Sequence, residues 1–481
     1  MNDLVFASAQ ELAMHIRHRR VSATEVLEGY LAQIASHNAA LNAIITLDEE
    51  GARTRAKAAD AALARGEVWG PLHGVPVTIK DAIETAGLRT TGGFPPLAEY
   101  VPTTDAPVVA RLRAAGAIIM GKTNVPILSA DYRADNPIFG RTNNPWALDR
   151  TPGGSTGGGA AALAAGLTAL EIGSDFAGSV RIPAHYCGVY GLKPTEHRVP
   201  CTGHIPGVPG ERSGRRHMNT IGPLARSVED LELALQLIAG PDGQQWEVPP
   251  VPLTPVADRP LDTLRLAWTD DFAGVQVTHE TRTALGQLAE ELARCGCHMA
   301  QQAPEGFDST TAWETRGEIL MAEVAATDPE GAAKRVATFD AGLHLEASFR
   351  GMARGAKATM QQYAVSLTKR DALITALEHF FTRWDALLCP VTVGPAIPHC
   401  PYGTPVAVDG QQVPYMPAGT AYTCLFNLTG HPAVVLPLTR SREGLPIGLQ
   451  IVGRRWGEMS LLAIVARLAQ VIGPFQRPPG Y

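Results

Sequence analysis

Apolar residues recur at helical spacing from the start of the chain. Ser8-Ala-Gln-Glu11 and Ser22-Ala-Thr-Glu25 each place a glutamate three residues after a hydroxyl. This is the capping-box spacing, in which each side chain satisfies a free N–H group at a helix start. An alanine-rich segment over about 50–65 predicts a third helix. Next comes Gly74-Val-Pro-Val-Thr-Ile-Lys80, a short β-branched strand pattern that ends in a lysine. Residues 108–115 predict a helix and 117–120 a strand, an alternation that points to an α/β layered fold.

From 136 to 179 the chain is rich in Gly, Ser, Thr, Asn and Pro, but apolar elements enclose it on both sides. The proline-rich segment 241–260 reads as a surface connector. A helix is expected over 278–294 and a helical, methionine-containing stretch over 310–380. Residues 385–393 and 433–438 are apolar strand candidates, and a last helix covers 457–472. No fixed-period repeat is present.

Composition narrows the class. With 481 residues, 45% of them hydrophobic and 18% charged, the chain can bury a large core and is not a disordered polymer. A net charge of −6 without long basic runs excludes the electrostatic footprint of a nucleic-acid binder. No apolar run approaches the ~20 residues of a membrane span, because Gly166 interrupts the longest alanine-rich run. The N-terminal residues lack a charged-then-apolar leader pattern, so a cytoplasmic location is expected. The cysteines at 187, 201, 295, 297, 389, 400 and 424 are odd in number and scattered. They predict free thiols, and no second Cys or His pair stands at zinc-ligand spacing, so no metal is expected.

The chemistry concentrates in Thr151-Pro-Gly-Gly-Ser155-Thr-Gly-Gly-Gly159-Ala, which fits three patterns. Gly157, Gly159 and Ala162 match a dinucleotide fingerprint, but two prolines precede it where a strand is required. Gly153-x-Ser155-x-Gly157 matches a nucleophile elbow, with His431 as the base on paper. The third reading joins Ser155 to a second glycine-serine turn, Gly173-Ser-Asp175-Phe-Ala-Gly178-Ser179-Val-Arg181, one helix and one strand later. Lys80, at the end of a mostly apolar strand, supplies the proton acceptor that two serines lack. Desolvation lowers an ammonium pKa, and neutral lysine is a competent base for serine. Successive N–H groups of Phe176, Ala177, Gly178 and Ser179 could form an oxyanion hole. Asp175 and Arg181 flank the turn, either as a brace or as a plain surface ion pair.

These residues resemble the amidase signature family, serine hydrolases with a Ser–cisSer–Lys triad. The resemblance runs through most of the chain. It includes Gly74-Val-Pro-Val-Thr-Ile-Lys80-Asp81, Gly121-Lys-Thr-Asn124, Asn136-Pro-Ile-Phe-Gly-Arg-Thr-Asn-Asn-Pro145 and the two serine turns, then Gly191-Leu-Lys-Pro-Thr195. Gly222-Pro-Leu-Ala-Arg226, Phe426-Asn-Leu-Thr-Gly-His-Pro432 and Gly444-Leu-Pro-Ile-Gly-Leu-Gln-Ile-Val-Gly453 complete it. The resemblance implies Lys80 as base, Ser155 as the cis serine that relays a proton, and Ser179 as nucleophile, with Gly153 and Gly154 easing the cis geometry. It also implies one α/β domain over 1–481, with a mixed β-sheet sandwiched between helical layers. Within it, N-terminal helices occupy about 1–65, the signature core about 66–240, a substrate-shaping helical region about 305–380, and C-terminal strands and helix about 384–475. No cofactor is implied. The expected partner is a small amide or carbamate, and a homodimer is the family-based expectation. The alternative within the family is an amidotransferase A-type subunit that releases ammonia from glutamine. Thr156 stands where the family usually has a second serine, and Ala177 where it has a glycine. Altered pocket shape is expected from both, with strain if Ala177 must take a positive φ. Specificity is expected from 196–218 and 310–380, where Met321, Met352 and Met360 are either pocket-lining or helix-core residues.

Overall fold

A computed structural model describes residues 4–207, 215–338 and 342–481. Eleven strands form one sheet: β1 (Ile44–Leu47), β2 (Pro76–Lys80), β3 (Ile118–Thr123), β4 (Glu171–Asp175), β5 (Tyr190–Lys193), β6 (Thr220–Ala225), β7 (Arg265–Trp268), β8 (His298–Gln301), β9 (Ala386–Pro390), β10 (Ala433–Arg440) and β11 (Pro446–Val452). Their order across the sheet is β1-β3-β2-β4-β6-β5-β10-β11-β9-β7-β8. The pairs β3–β2, β2–β4, β9–β7 and β7–β8 are parallel, whereas the central run from β4 to β9 is antiparallel. The sheet is therefore mixed, and helices cover it on both faces, so its central strands are buried throughout.

The helices are α1 (Ala9–Arg17), α2 (Ala23–Leu41), α3 (Glu49–Ala64), α4 (Pro107–Ala114), α5 (Gly157–Ala164), α6 (Arg181–Cys187), α7 (Val228–Ile238), α8 (His279–Arg294), α9 (Ser309–Thr327), α10 (Pro329–Ala337), α11 (Glu346–Gly355), α12 (Met360–Phe380), α13 (Tyr415–Leu428) and α14 (Glu458–Ile472). Both expected capping boxes close, Ser8 with Glu11 and Ser22 with Glu25. The segment 310–380 is a cluster of four helices, in which glycines let α9 and α11 cross closely: a Cβ at Gly351 would sit 2.1 Å from the Glu314 carbonyl. Met321 packs in the core of this cluster, Met352 reaches the cavity described below, and Met360 is exposed.

One local reading needs correction. The strand expected between the two serine turns, read from the apolar run 167–172, begins only at Glu171, because Gly166 turns the chain with φ +70 and the Thr168 hydroxyl donates to the Leu170 carbonyl. Strands β5, β6 and β11 carry no alternating pattern, since both of their faces are covered. β6 even contains Gly222, where a Cβ would lie 2.1 Å from the Leu192 carbonyl of β5. Of the proposed specificity segment 196–218, residues 208–214 lie outside the described residues, as do 339–341 of the segment 310–380. Among the described residues no helix is long and apolar enough to cross a membrane.

Candidate active site

Strand β2, between β3 and β4, delivers Lys80 into the interior with no exposure to solvent. Its Nζ lies 2.6 Å from Ser155 Oγ and 2.8 Å from Ser174 Oγ. Burial pushes the ammonium pKa down to about 7, against the opposing pull of the Asp175 and Glu171 carboxylates. Glu171 itself is raised to about 7, first by burial, while the hydroxyls of Thr123 and Thr78 donate to it at 2.6 Å and 2.5 Å. Lys80 is thus an amine that titrates near neutrality inside the protein, where a surface lysine would stay charged.

Ser155 sits on the loop before α5, and the Gly154–Ser155 peptide bond is cis. Gly153 takes φ +82, with a hypothetical Cβ 2.8 Å from the Pro183 backbone, and one at Gly154 would lie 2.6 Å from the Arg133 carbonyl. Neither position admits a side chain. The Thr156 N–H donates to the Ser179 carbonyl at 3.1 Å, which joins the two serine loops. The pocket change expected from Thr156 does not arise directly, because its side chain turns away to pack on Gly173 of β4, with its hydroxyl 3.4 Å from the Ser174 carbonyl.

The turn after β4 is organised by Asp175. Its carboxylate accepts from the N–H groups of Gly178 (2.8 Å), Val180 (3.2 Å) and Arg181 (3.4 Å). Burial would raise the Asp175 pKa, but the Arg181 guanidinium, helped by Lys193 and Asn427, holds it well below the usual carboxylate range. The Asp175–Arg181 pair is not a surface ion pair: both side chains are fully buried, with Arg181 Nη2 2.9 Å from Asp175 Oδ1. Arg181 also donates to the Thr423 carbonyl, Gln450 Oε1 and Asn427 Oδ1 at 2.9, 2.7 and 2.6 Å, so its charge is fully engaged. Gly178 takes φ +121 with a hypothetical Cβ 2.4 Å from Thr423 Oγ1, whereas Ala177 keeps a negative φ and the strain considered for it does not arise.

Gly178 N–H, one of the four expected oxyanion donors, points at Asp175 instead. Among the described residues the N–H groups of Phe176, Ala177 and Ser179 have no acceptor. Phe176, Ala177, Ser155, Ser174 and Ser179 together line a cavity of about 1290 Å³. Ser179 is slightly exposed there. His431, the base required by the elbow pattern, is remote from this cavity: it is buried with Nδ1 3.0 Å from Thr429 Oγ1 and Nε2 3.3 Å from Glu378. Loop geometry also removes the dinucleotide reading, since no strand leads into Gly157 and α5 is buried on every side.

Sequence reasoning missed Ser174 and His204. Ser174 was in plain view inside the second serine turn, and strand alternation puts it on the face opposite Asp175. His204 comes from a loop with no motif, and its Nε2 lies 2.7 Å from Ser174 Oγ. A further grouping, Glu196, His197 and His217, gathers ligand-type atoms. The Arg370 guanidinium already binds both Glu196 and His217 Nδ1, placing a fixed cation where a metal would sit.

The family model described as Amidase matches residues 25–462. The chain is 33% identical to an indoleacetamide hydrolase of Bradyrhizobium diazoefficiens over 97% of its length and 86% of that protein. It is 31% identical to the A-type subunit of the glutamyl-tRNA(Gln) amidotransferase of Alkaliphilus metalliredigens, over 96% and 95% of the two chains. Among solved structures, 6-aminohexanoate cyclic dimer hydrolase complexed with substrate superposes with a TM-score of 0.80 at 27% identity, covering 99% of each chain. A mixed sheet of this order, two joined serine loops and a match across nearly the whole chain agree, and the chain belongs to the amidase signature family, hydrolases of amide C–N bonds.

Proposed function

We propose that the chain cleaves the C–N bond of small amides, including aryl amides and carbamates, through an acyl-enzyme on Ser179. The observation that carries this reading is the fully buried Lys80 amine, near-neutral in pKa and 2.6 Å from the Ser155 hydroxyl. In the neutral form Lys80 accepts the Ser155 proton while Ser155 Oγ takes the proton of Ser179, and Ser179 Oγ bonds to the substrate carbonyl carbon. Developing negative charge on the carbonyl oxygen is met by the unengaged N–H groups of Phe176, Ala177 and Ser179. Collapse breaks the C–N bond, and the proton returns through Ser155 to the leaving nitrogen. Water then attacks the ester, deprotonated by the same relay, and releases the acid and free Ser179.

Likeness to the A-type subunits of amidotransferases favours a second reading, ammonia release from glutamine. Against it, the chain after Thr195 lacks the tyrosine- and serine-containing run of those proteins, and the sequence, with a net charge of −6, has no long basic run. Peptide mapping after a fluorophosphonate tests the triad: an adduct on Ser179 that disappears in Lys80→Ala is expected. An adduct on Ser155, or none on folded protein, would overturn it. Turnover of a neutral anilide or carbamate without glutaminase activity separates the two readings. Sedimentation at two protein concentrations tests the homodimer.

A further inference from the structure

The cavity carries cationic charge that amide hydrolysis does not require. Arg316 on α9 and Arg215 ahead of β6 hold their guanidinium carbons 5.9 Å and 5.6 Å from the Phe176 ring, at the start of the turn that bears Ser179. Arg335 on α10 lines the same space and, after burial, is the main group depressing the Arg215 pKa, which Glu323 opposes. The other cavity arginines are matched, Arg133 by Asp131 and Arg216 by Glu247. Of the cavity acids, Asp131 is held by Arg133, Asp105 pairs with Arg113 and Glu84 accepts the Tyr100 hydroxyl, while Asp135 is exposed and forms no ion pair among the described residues. Among the described residues Arg316 and Arg335 pair with no carboxylate, and Arg316 Nε is buried with no hydrogen-bond acceptor. A neutral acceptor would leave the guanidinium charge unmatched, whereas a carboxylate supplies a counter-charge and offers a planar guanidinium two acceptors at once.

We propose that the substrate is an amide bearing a free carboxylate, either a half-amide of a short diacid or an amide of an amino acid, with Arg316 and Arg335 receiving the anion. This deepens the amidase reading and rests on it, but binding tests it separately from turnover. Calorimetry on Ser179→Ala compares glutaric acid monoanilide with pentananilide, and N-pentanoyl-4-aminobenzoate with the same neutral anilide. At least one carboxylated ligand is expected to bind on the order of tenfold or more tightly than its neutral partner. That preference is expected to shrink in Arg316→Gln and in Arg335→Gln, and to weaken with added salt. Equal or weaker binding of both carboxylated ligands would overturn the anion subsite, as would a preference untouched by either substitution. Failure of the amidase reading instead would show as preserved binding with no turnover by the unsubstituted enzyme.

The polar chain behind Lys80 independently carries a second proposal. Asn219 Nδ2 donates to His204 Nδ1 at 3.2 Å, so the imidazole proton resides on Nε2, which donates to Ser174 Oγ at 2.7 Å. Ser174 Oγ also accepts from Lys80 Nζ at 2.8 Å. With two donors aimed at it, the Ser174 hydroxyl turns its own proton away from Nζ and leaves the amine lone pair to Ser155. We infer that His204 is a positioning residue that aims the Lys80 lone pair at Ser155 through Ser174. The test is a double-mutant cycle on anilide turnover. His204→Ala and Ser174→Ala are each expected to lower kcat about tenfold or more with little change in KM, and the double variant should fall no further than the worse single. His204→Gln, which keeps a donor and an acceptor, is expected to recover part of the loss. Additive losses, or a change in KM alone, would overturn the role.

Discussion

The pH dependence of turnover follows from where Lys80 lies. Its pKa falls from an ordinary 10.5 to about 7 because burial strips the ammonium of water, and Asp175 and Glu171 recover only part of that loss. In the proposed relay the competent form is the neutral amine, so kcat/KM should rise with pH. About a tenth of Lys80 is neutral at pH 6 and about nine-tenths at pH 8, which makes the rise about tenfold across that window, with a plateau by about pH 9. His204 does not contribute, since burial, then the charges of Lys80 and Arg215, lower it to about 3 and it stays neutral throughout. Glu171 does contribute, because it titrates near 7 and its ionisation favours the Lys80 ammonium. The two groups are coupled, and the rising limb should spread beyond a single-site titration. Glu171→Gln removes that charge, so the midpoint should move to lower pH and the limb should sharpen. The assay is kcat/KM for a non-ionising anilide from pH 5.5 to 9.5. A flat profile from 6 to 9 refutes a lysine base, and a rate still climbing tenfold per unit beyond 9 refutes the depressed pKa.

Burial of Lys80 has a stability counterpart. Between pH 7 and 10.5 the unfolded chain holds the lysine proton and the folded one does not, so stability should rise with pH across this window. Lys80→Met should therefore abolish turnover yet raise the urea midpoint at pH 6, with a gain in unfolding free energy of at most about 5 kcal/mol before lost hydrogen bonds are subtracted. Gly178→Ala places a Cβ 2.4 Å from Thr423 Oγ1 at φ +121, so kcat should collapse and stability should fall by about 2 kcal/mol or more. Arg181→Met strips the guanidinium from buried Asp175 and should cost about 3–5 kcal/mol in denaturant unfolding. His431→Asn, outside the cavity, should keep anilide turnover within about twofold of the parent, and a loss matching that of Lys80→Ala would restore the elbow reading.

What the sequence disclosed depended on how far apart the interacting residues lie. Capping boxes, amphipathic helices and the two serine turns are local, and they could be placed from spacing alone. Sheet order is not local. β4 lies between β2 and β6, and only that order brings Ser174 against Lys80, 94 residues away. The acceptors around Arg181 come from Thr423, Asn427 and Gln450, at separations of 242, 246 and 269 residues. Strands such as β5 and β11 escape a pattern search for a related reason. Covered on both faces, they have no polar side to mark a two-residue period. Arg316 and His204 are single residues on unremarkable elements, and nothing but the cavity gives them significance.

The deepest consequence of the fold lies in how Asp175 divides the backbone donors of one turn. The N–H groups of Gly178, Val180 and Arg181 point inward to its carboxylate, whereas those of Phe176, Ala177 and Ser179 find no acceptor among the described residues and stand beside the cavity. Orienting the second set requires holding the first, and holding the first requires a carboxylate that stays ionised in the core. Arg181 keeps it ionised, and the carbonyl and side-chain oxygens of α13 and β11 fix Arg181 in turn. Gly178 completes the division, because only a residue without Cβ can pass Thr423 at φ +121 while directing its N–H to Asp175. A preorganised set of donors costs no reorganisation when charge appears on a substrate oxygen. In the proposed mechanism the buried ion pair acts by geometry, and its own contribution to stability is secondary.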